Sequence, residues 1–280
     1  GFNNPTGIHA SDRVQIAVIG DSFVHGWCVP PERTVAGLLT SRVGSAVNLG
    51  FEASGPLAQL GILREFATPL RPPVVLWLFF GENDPGDLER DMRSPILTRY
   101  FDPSYRQGLP GLQAEIDRGL RAVIQEHRQE QEAALNRRGR RARNDRLGRG
   151  SQVASFLKLR RVRRLMTRAS TNPWERDYPW DPEAFKRVLG QAQAEVEGWG
   201  GQMMFVYLPS WRRFAHPEDA SPHKASVLAE ARSLGLTVVD PTPAFEAHPD
   251  PPRLFPFGVD GHYTSEGFGI LVDEIVRGLP

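Results

Sequence analysis

The stretch VQIAVIGDSFVHGW, Val14 to Trp27, decides the fold. It opens as an apolar, β-branched run and stops abruptly at Gly20-Asp21-Ser22. A short continuous apolar run ending in glycine reads as a parallel strand buried on both faces, here over 14–20. Chain leaving the carboxyl end of such a strand is usually exposed and often functional. Ser22 is therefore either a polar residue closing a strand or a nucleophile held at its end.

Working outward, the same kind of run recurs at Ala46–Gly50, Val74–Phe80, Met203–Leu208 and Thr237–Asp240. Helical spacing separates them. Val35, Leu38, Leu39 and Val43 share one helical face, LAQLGILREFA reads as a second helix, and Phe268, Leu271, Val272 and Ile275 line a closing one. Strands alternating with helices predict an α/β fold, with a parallel sheet covered on both faces. About 120 residues separate the third strand from the fourth, far more than a crossover of about a dozen. The chain thus reads as one domain over 1–280 carrying a helical insertion at 85–201. Two apolar stripes suggest helices there: Ile116, Leu120, Val123 and Ile124, then Phe156, Leu157, Val162, Leu165 and Met166. Between them, NRRGRRARNDRLGRG (136–150) reads as a charged loop.

Composition sets outer limits. A 280-residue chain with 40% hydrophobic and 24% charged residues has the make-up of a globular domain with a substantial core. No run approaches 18 consecutive apolar residues, the length of a membrane span. The single cysteine, Cys28, excludes an internal disulfide and a cysteine-based metal cluster. The net charge of +1 hides an asymmetry. Residues 137–168 hold 13 basic residues and one acid, Asp145, for +12, so the rest of the chain carries −11. This segment reads as a solvated loop or as an electrostatic surface for an anionic polysaccharide or lipid headgroups. Nucleic acid is the least favoured partner, because no recognised module or aromatic stacking pattern accompanies the charge.

Four separated pieces converge. GDS (Gly20–Ser22), NLGFEASGPL (Asn48–Leu57) and GEND (Gly81–Asp84) each follow a strand, and DGHYT (Asp260–Thr264) precedes the last helix. Parallel strands share one carboxyl edge, which puts the first three together and leaves the fourth free to join. Acyl transfer needs such a set. A serine hydroxyl is a poor nucleophile until a base takes its proton. His262 is the candidate base and Asp260 the group that orients it, with Gly261 supplying freedom between them. The oxyanion needs donors worth roughly 3–4 kcal/mol each. The Ser22 N–H, N–H groups within 53–55 and the Asn83 side-chain amide are the candidates.

GDS near the start, a glycine-bearing block after strand two, GxND after strand three and a C-terminal Asp/His pair together resemble the SGNH (GDSL-type) hydrolases. The resemblance covers 14–84 and 202–278. It implies a three-layer α/β/α sandwich around a flavodoxin-like sheet, with a Ser22–His262–Asp260 triad and Ser22, the second-block backbone and Asn83 at the oxyanion. Ala53 stands where many members carry glycine, with Gly55 as the fallback donor. An Ala53 N–H serves provided its φ stays in an ordinary L-residue region. The Asp-x-His spacing is shorter than the commoner Asp-x-x-His, and resembles the branch associated with O-acetylation of bacterial exopolysaccharides. That branch implies an acylated saccharide or other small ester as substrate. It also implies work in the bacterial periplasm or at the extracellular face, with a membrane tether in the longer protein.

The remaining residues are secondary. Asp21 reads as ordering the serine turn and Asp84 as doing the same for Asn83. Trp27, Trp77, Trp174, Trp180 and Trp211 are the tryptophans that could stack on a sugar, and Trp211, just past strand four, is the best-placed platform. His216, His223 and His248 lack metal-ligand spacing, and the chemistry requires neither metal nor cofactor. An ester hydrolase and an O-acetyltransferase share the acyl-enzyme and remain equal readings. A non-catalytic carbohydrate-binding or assembly protein keeping the same fold is the alternative.

Overall fold

The computed structural model describes residues 2–5, 8, 14–145 and 180–280, with backbone alone for 136–145 and 219. Five strands form its sheet: β1 Ile16–Gly20, β2 Ala46–Gly50, β3 Val74–Phe80, β4 Gln202–Leu208 and β5 Thr237–Val239. All pairings are parallel, in the order β2-β1-β3-β4-β5. Each strand lies within a residue or two of its sequence-based position, because parallel strands buried on both faces are continuous apolar runs.

Alternation sorts the strand side chains into two cores. Ala17, Ile19, Val47, Leu49, Val75, Trp77, Phe79 and Phe205 face one layer of helices. These are α3 (Pro56–Ile62), α6 (Pro182–Gly198) and α8 (Lys224–Ser233), contributing Leu57, Leu60, Phe185, Val188 and Val227. Ile16, Val18, Leu76, Leu78, Val206 and Leu208 face the other layer, α2 (Val35–Arg42) and α10 (Ser265–Gly278). The molecule has the three-layer α/β/α architecture that strand–helix alternation predicts.

The chain divides into two compact units, 1–107 with 178–280, and 108–177. The second unit is narrower than the 85–201 insertion expected from sequence. The helix α4 (Asp84–Met92) buries Pro85 and Leu88, and α6 buries Phe185, Val188, Leu189, Ala192 and Val196 along one face, so both belong to the sheet-bearing unit. In the second unit, α5 runs from Gln113 to Asp145 and carries exposed Ile116, Leu120, Val123 and Ile124. Helix therefore continues through 136–145, where a loop is expected from sequence; arginine is a good helix former and this stretch holds five. The second apolar stripe and residues 146–168 of the basic segment lie outside the described residues. No helix among the described residues is long and apolar enough to cross a membrane.

Candidate active site

The strand order places the carboxyl ends of β2, β1 and β3 side by side, the crevice where ligands bind in open α/β sheets. The segments leaving those ends are short and tightly packed. After β1, Asp21 caps the four-residue helix α1 (Ser22–His25) by accepting the Phe23 N–H at 2.9 Å, and Gly26 ends it with φ +89. Gly50 lets this turn sit directly on β2, since a Cβ there would lie 2.3 Å from the His25 nitrogen.

Ser22 is the first residue of α1 and is half-buried. His262, 240 residues later, places Nε2 2.8 Å from Ser22 Oγ. If Nε2 accepts the hydroxyl proton, the neutral ring carries its own proton on Nδ1. Packing fixes the imidazole: Phe23 lies 4.6 Å from it between ring centroids, and Trp27 stacks at 6.1 Å with 23° between planes. Burial lowers the pKa of His262 below the ordinary imidazole value, partly opposed by the charge of exposed Glu52.

His262 is anchored from its C-terminal side. Tyr263, fully buried, donates its hydroxyl to the Pro209 carbonyl at 2.6 Å. The Thr264 N–H reaches the Leu254 carbonyl at 2.8 Å, and Thr264 Oγ1 caps α10 by accepting the Gly267 N–H at 3.2 Å. Asp260 is placed elsewhere than the sequence reading expected. Its carboxylate meets Arg212 Nε at 3.1 Å, and among the described residues it makes no hydrogen bond to His262. The physical reason is charge: Arg212, in the short helix α7 (Arg212–Ala215) after β4, is a cation that neutral imidazole cannot match as a partner.

Asn83 precedes α4 as its N-cap, and its side chain reaches Asp21 of the serine turn. Asn83 Nδ2 donates to Asp21 Oδ2 at 2.9 Å, so one buried carboxylate binds both the serine turn and the β3 turn. Asp84 does not order Asn83 as expected. It closes its own turn instead, Oδ2 accepting the Phe80 N–H at 2.8 Å, while burial pushes its pKa well up. The Asn83 side-chain oxygen is buried without a partner among the described residues.

In the second block, Ser54 is consumed by structure: its N–H and hydroxyl both bond the Phe51 carbonyl, at 3.2 and 2.7 Å. Ala53 and Gly55 flank it with N–H groups that have no protein partner among the described residues. Ala53 adopts φ +54, outside the region assumed for it, and so takes the left-handed conformation that glycine occupies more easily. Gly55 is extended, at φ −80 and ψ 175, and its closeness to α4 leaves no room for a Cβ, which would sit 2.5 Å from the Asp87 carbonyl carbon.

Beneath this block lies a group of buried acids. Burial raises Asp21 and Asp91 each to about 6, and Asp87 is raised by the same cause. Asp91 still accepts the Ala58 N–H at 2.9 Å. A folded-state pKa above the unfolded one means a contribution present at low pH and lost as pH rises, here between about 4 and about 6. Asp21 and Asp91 are each worth about 3 kcal/mol across that window. Asp91→Asn keeps an acceptor for Ala58 and removes the titration. Its melting temperature should therefore fall less than that of the parent between pH 4 and pH 7, as calorimetry at the two pH values would register.

Of the tryptophans, Trp77 is core, Trp174 lies outside the described residues, and Trp180 donates to Ser226 Oγ at 2.9 Å. Trp211 is half-buried, its indole N–H fixed to the Gly258 carbonyl at 3.0 Å, which braces the loop leading to His262. Trp27 is 46% exposed and stands beside His262. Three neighbours of the site escaped the sequence reading as such: Phe23, Glu52 and Arg212. The first two sit inside motif segments and could have been found from that placement; nothing in the sequence separates Arg212 from Arg213.

No family model matches the sequence, and no curated protein matches it. Solved structures do. TesA is 10% identical with a TM-score of 0.51, covering 94% of this chain and 97% of its own. A G-D-S-L family protein from Desulfitobacterium hafniense DCB-2 is 11% identical with a TM-score of 0.50, covering 95% and 100%. A lipase/acylhydrolase from Enterococcus faecalis is 14% identical with a TM-score of 0.50, covering 95% and 94%. With its five parallel strands, its two helical layers and these neighbours, the chain has the fold of the SGNH/GDSL hydrolases.

Proposed function

We propose that this chain is a serine-dependent ester hydrolase or acyl transferase acting on an O-acylated, most simply O-acetylated, saccharide. The observation that carries the reading is the 2.8 Å contact between Ser22 Oγ and His262 Nε2 at the crevice edge of the sheet. In this mechanism His262 takes the Ser22 proton as Oγ attacks the ester carbonyl. The tetrahedral oxyanion is met by N–H groups of Ser22 and of Ala53 or Gly55, and by the second hydrogen of the Asn83 amide. His262 then protonates the departing sugar oxygen, and water or a second hydroxyl takes the acyl group from Ser22. Asp260 is the acid available to the base.

Trp27 presents an open indole beside His262, suited to stacking on a sugar ring, whereas the Trp211 indole is already engaged. Residues 137–168 would add an attractive surface for an anionic polysaccharide or membrane, consistent with work in the periplasm or outside the cell. Incubation with an acetyl donor and an oligosaccharide acceptor tests the reading: acetate or acetylated oligosaccharide should form, and neither should form with Ser22→Ala.

The reaction needs neutral His262, so kcat/KM should rise with pH through the His262 pKa and then level. Because burial lowers that pKa, the midpoint should fall below about 6.5, the value of a free imidazole. A pH–rate profile with a neutral ester checks it, and a midpoint at or above 6.5 would contradict it. The carboxylate bonded to Arg212 instead of His262 favours a second reading, a carbohydrate-binding protein without turnover. That protein would bind saccharide and leave acetyl esters intact.

A further inference from the structure

The segment Asp260–His262 is held differently from everything around it. Before it, Gly258 accepts the Trp211 indole N–H at 3.0 Å. After it, Tyr263 and Thr264 are fixed to Pro209 and Leu254. Between those anchors no backbone hydrogen bond involves residues 260–262 among the described residues. Side-chain contacts position them instead: His262 bonds Ser22 and packs on Phe23 and Trp27, and Asp260 meets Arg212. Gly261, which joins the two residues, has room to spare, for a Cβ built there would meet nothing nearer than the Val259 carbonyl at 3.9 Å.

We propose that Arg212 is a positioning residue that holds the Asp260 carboxylate off His262, and that the triad closes only when Asp260 leaves Arg212 for the imidazole. The proposal rests on the assignment of Ser22 and His262 as nucleophile and base. Asp260 meets Arg212 and is joined to His262 through one glycine that makes no backbone hydrogen bond among the described residues. The arginine contact is a single one through Nε, and the Asp260 side chain is 39% exposed, against 17% for Arg212. Screened by water, such a pair is weak and readily exchanged. On the other side, the Nδ1–H of a His262 whose Nε2 accepts from Ser22 lacks a protein acceptor among the described residues. A carboxylate arriving there would fix the tautomer and stabilise the imidazolium formed during attack. Arg212 thus sets how much of the protein stands ready to react, without touching substrate.

Among the described residues, the polar and charged groups facing His262 are the neutral Ser22 hydroxyl and, at longer range, the Glu52 carboxylate; Phe23 and Trp27, which pack on the ring, carry no charge. Freeing Asp260 would therefore add the one carboxylate in contact with the ring. The test is a titration of His262 by imidazole NMR, assigned with His262→Gln, alongside p-nitrophenyl acetate kinetics. Arg212→Gln should raise the His262 midpoint by about one pH unit or more, as an adjacent carboxylate does. It should also raise kcat/KM at the pH plateau several-fold. Arg212→Lys should stay near the parent in both readouts. Arg212→Gln with Asp260→Asn should return the midpoint to the parent value. An unchanged midpoint in Arg212→Gln, or a rise that persists in the double variant, would overturn the proposal. If Arg212→Gln fails to fold, Arg212→Ala takes its place in the same comparison. The NMR shift does not depend on turnover, so a shift in Arg212→Gln alongside a parent that hydrolyses nothing would overturn the esterase reading while leaving the latch standing.

Discussion

Replacing Ser22 with alanine should lower turnover of p-nitrophenyl acetate by about four to six powers of ten, and His262→Ala should do nearly the same. The two losses should not add in the double variant, because nucleophile and base act as one unit. The size follows from what is removed. Without Ser22 no acyl-enzyme forms, and the residual rate is what the oxyanion donors and substrate binding give to attack by water. Without His262 the hydroxyl keeps its proton at neutral pH. Both substitutions leave the fold standing: Ser22 is half-buried in a four-residue helix capped by Asp21, and the Tyr263 and Thr264 anchors remain when the imidazole is gone. Steady-state rates on folded variants, with circular dichroism matching the parent, provide the check. Parent-like turnover in Ser22→Ala would discard the mechanism.

Asn83→Ala should cost about two to three powers of ten in kcat, with a smaller change in KM, since an oxyanion donor acts on charge that develops only in the transition state. The Asn83 amide has two hydrogens. One is given to Asp21 at 2.9 Å, which aims the other. Removing the amide also leaves a buried Asp21 oxygen without that donor, so part of the loss should appear as lower thermal stability at neutral pH, where Asp21 is ionised. Asn83→Asp should be worse in both respects, because it sets a second carboxylate against the first. Comparing the kcat and melting temperature of the two variants separates the donor's role from its structural one. A loss in stability with kcat intact would reassign Asn83 to structure alone.

The parts of this molecule most legible in the sequence are those where burial dictates residue type. The strands could be placed because a parallel strand covered on both faces favours Val, Ile, Leu and aromatics, as in VVLWLFF, although β2 buries Asn48 and β5 begins at exposed Thr237. The segments holding Ser22, Asn83 and the second block were legible for a related reason: they leave the same edge of the same sheet. Two kinds of feature were not. The helix 182–198 shows its apolar face at Phe185, Val188, Leu189, Ala192 and Val196, yet nothing local says whether that face meets the sheet or an inserted unit. Asp260 illustrates the second kind. Its nearness to His262 along the chain suggested a partner, but the choice between an imidazole and a guanidinium is made by where the β4–α7 loop brings Arg212. Backbone angle belongs with these: Ala53 reads as an ordinary residue and stands at φ +54.

If Ser22 is an activated nucleophile, it should react with a serine-directed fluorophosphonate, and peptide mass spectrometry locates the adduct. One adduct per chain on Ser22, absent from Ser22→Ala and formed far more slowly in His262→Ala, is the expected result. A folded protein that takes no label, or takes it on another serine at the same rate in all three forms, would contradict the account.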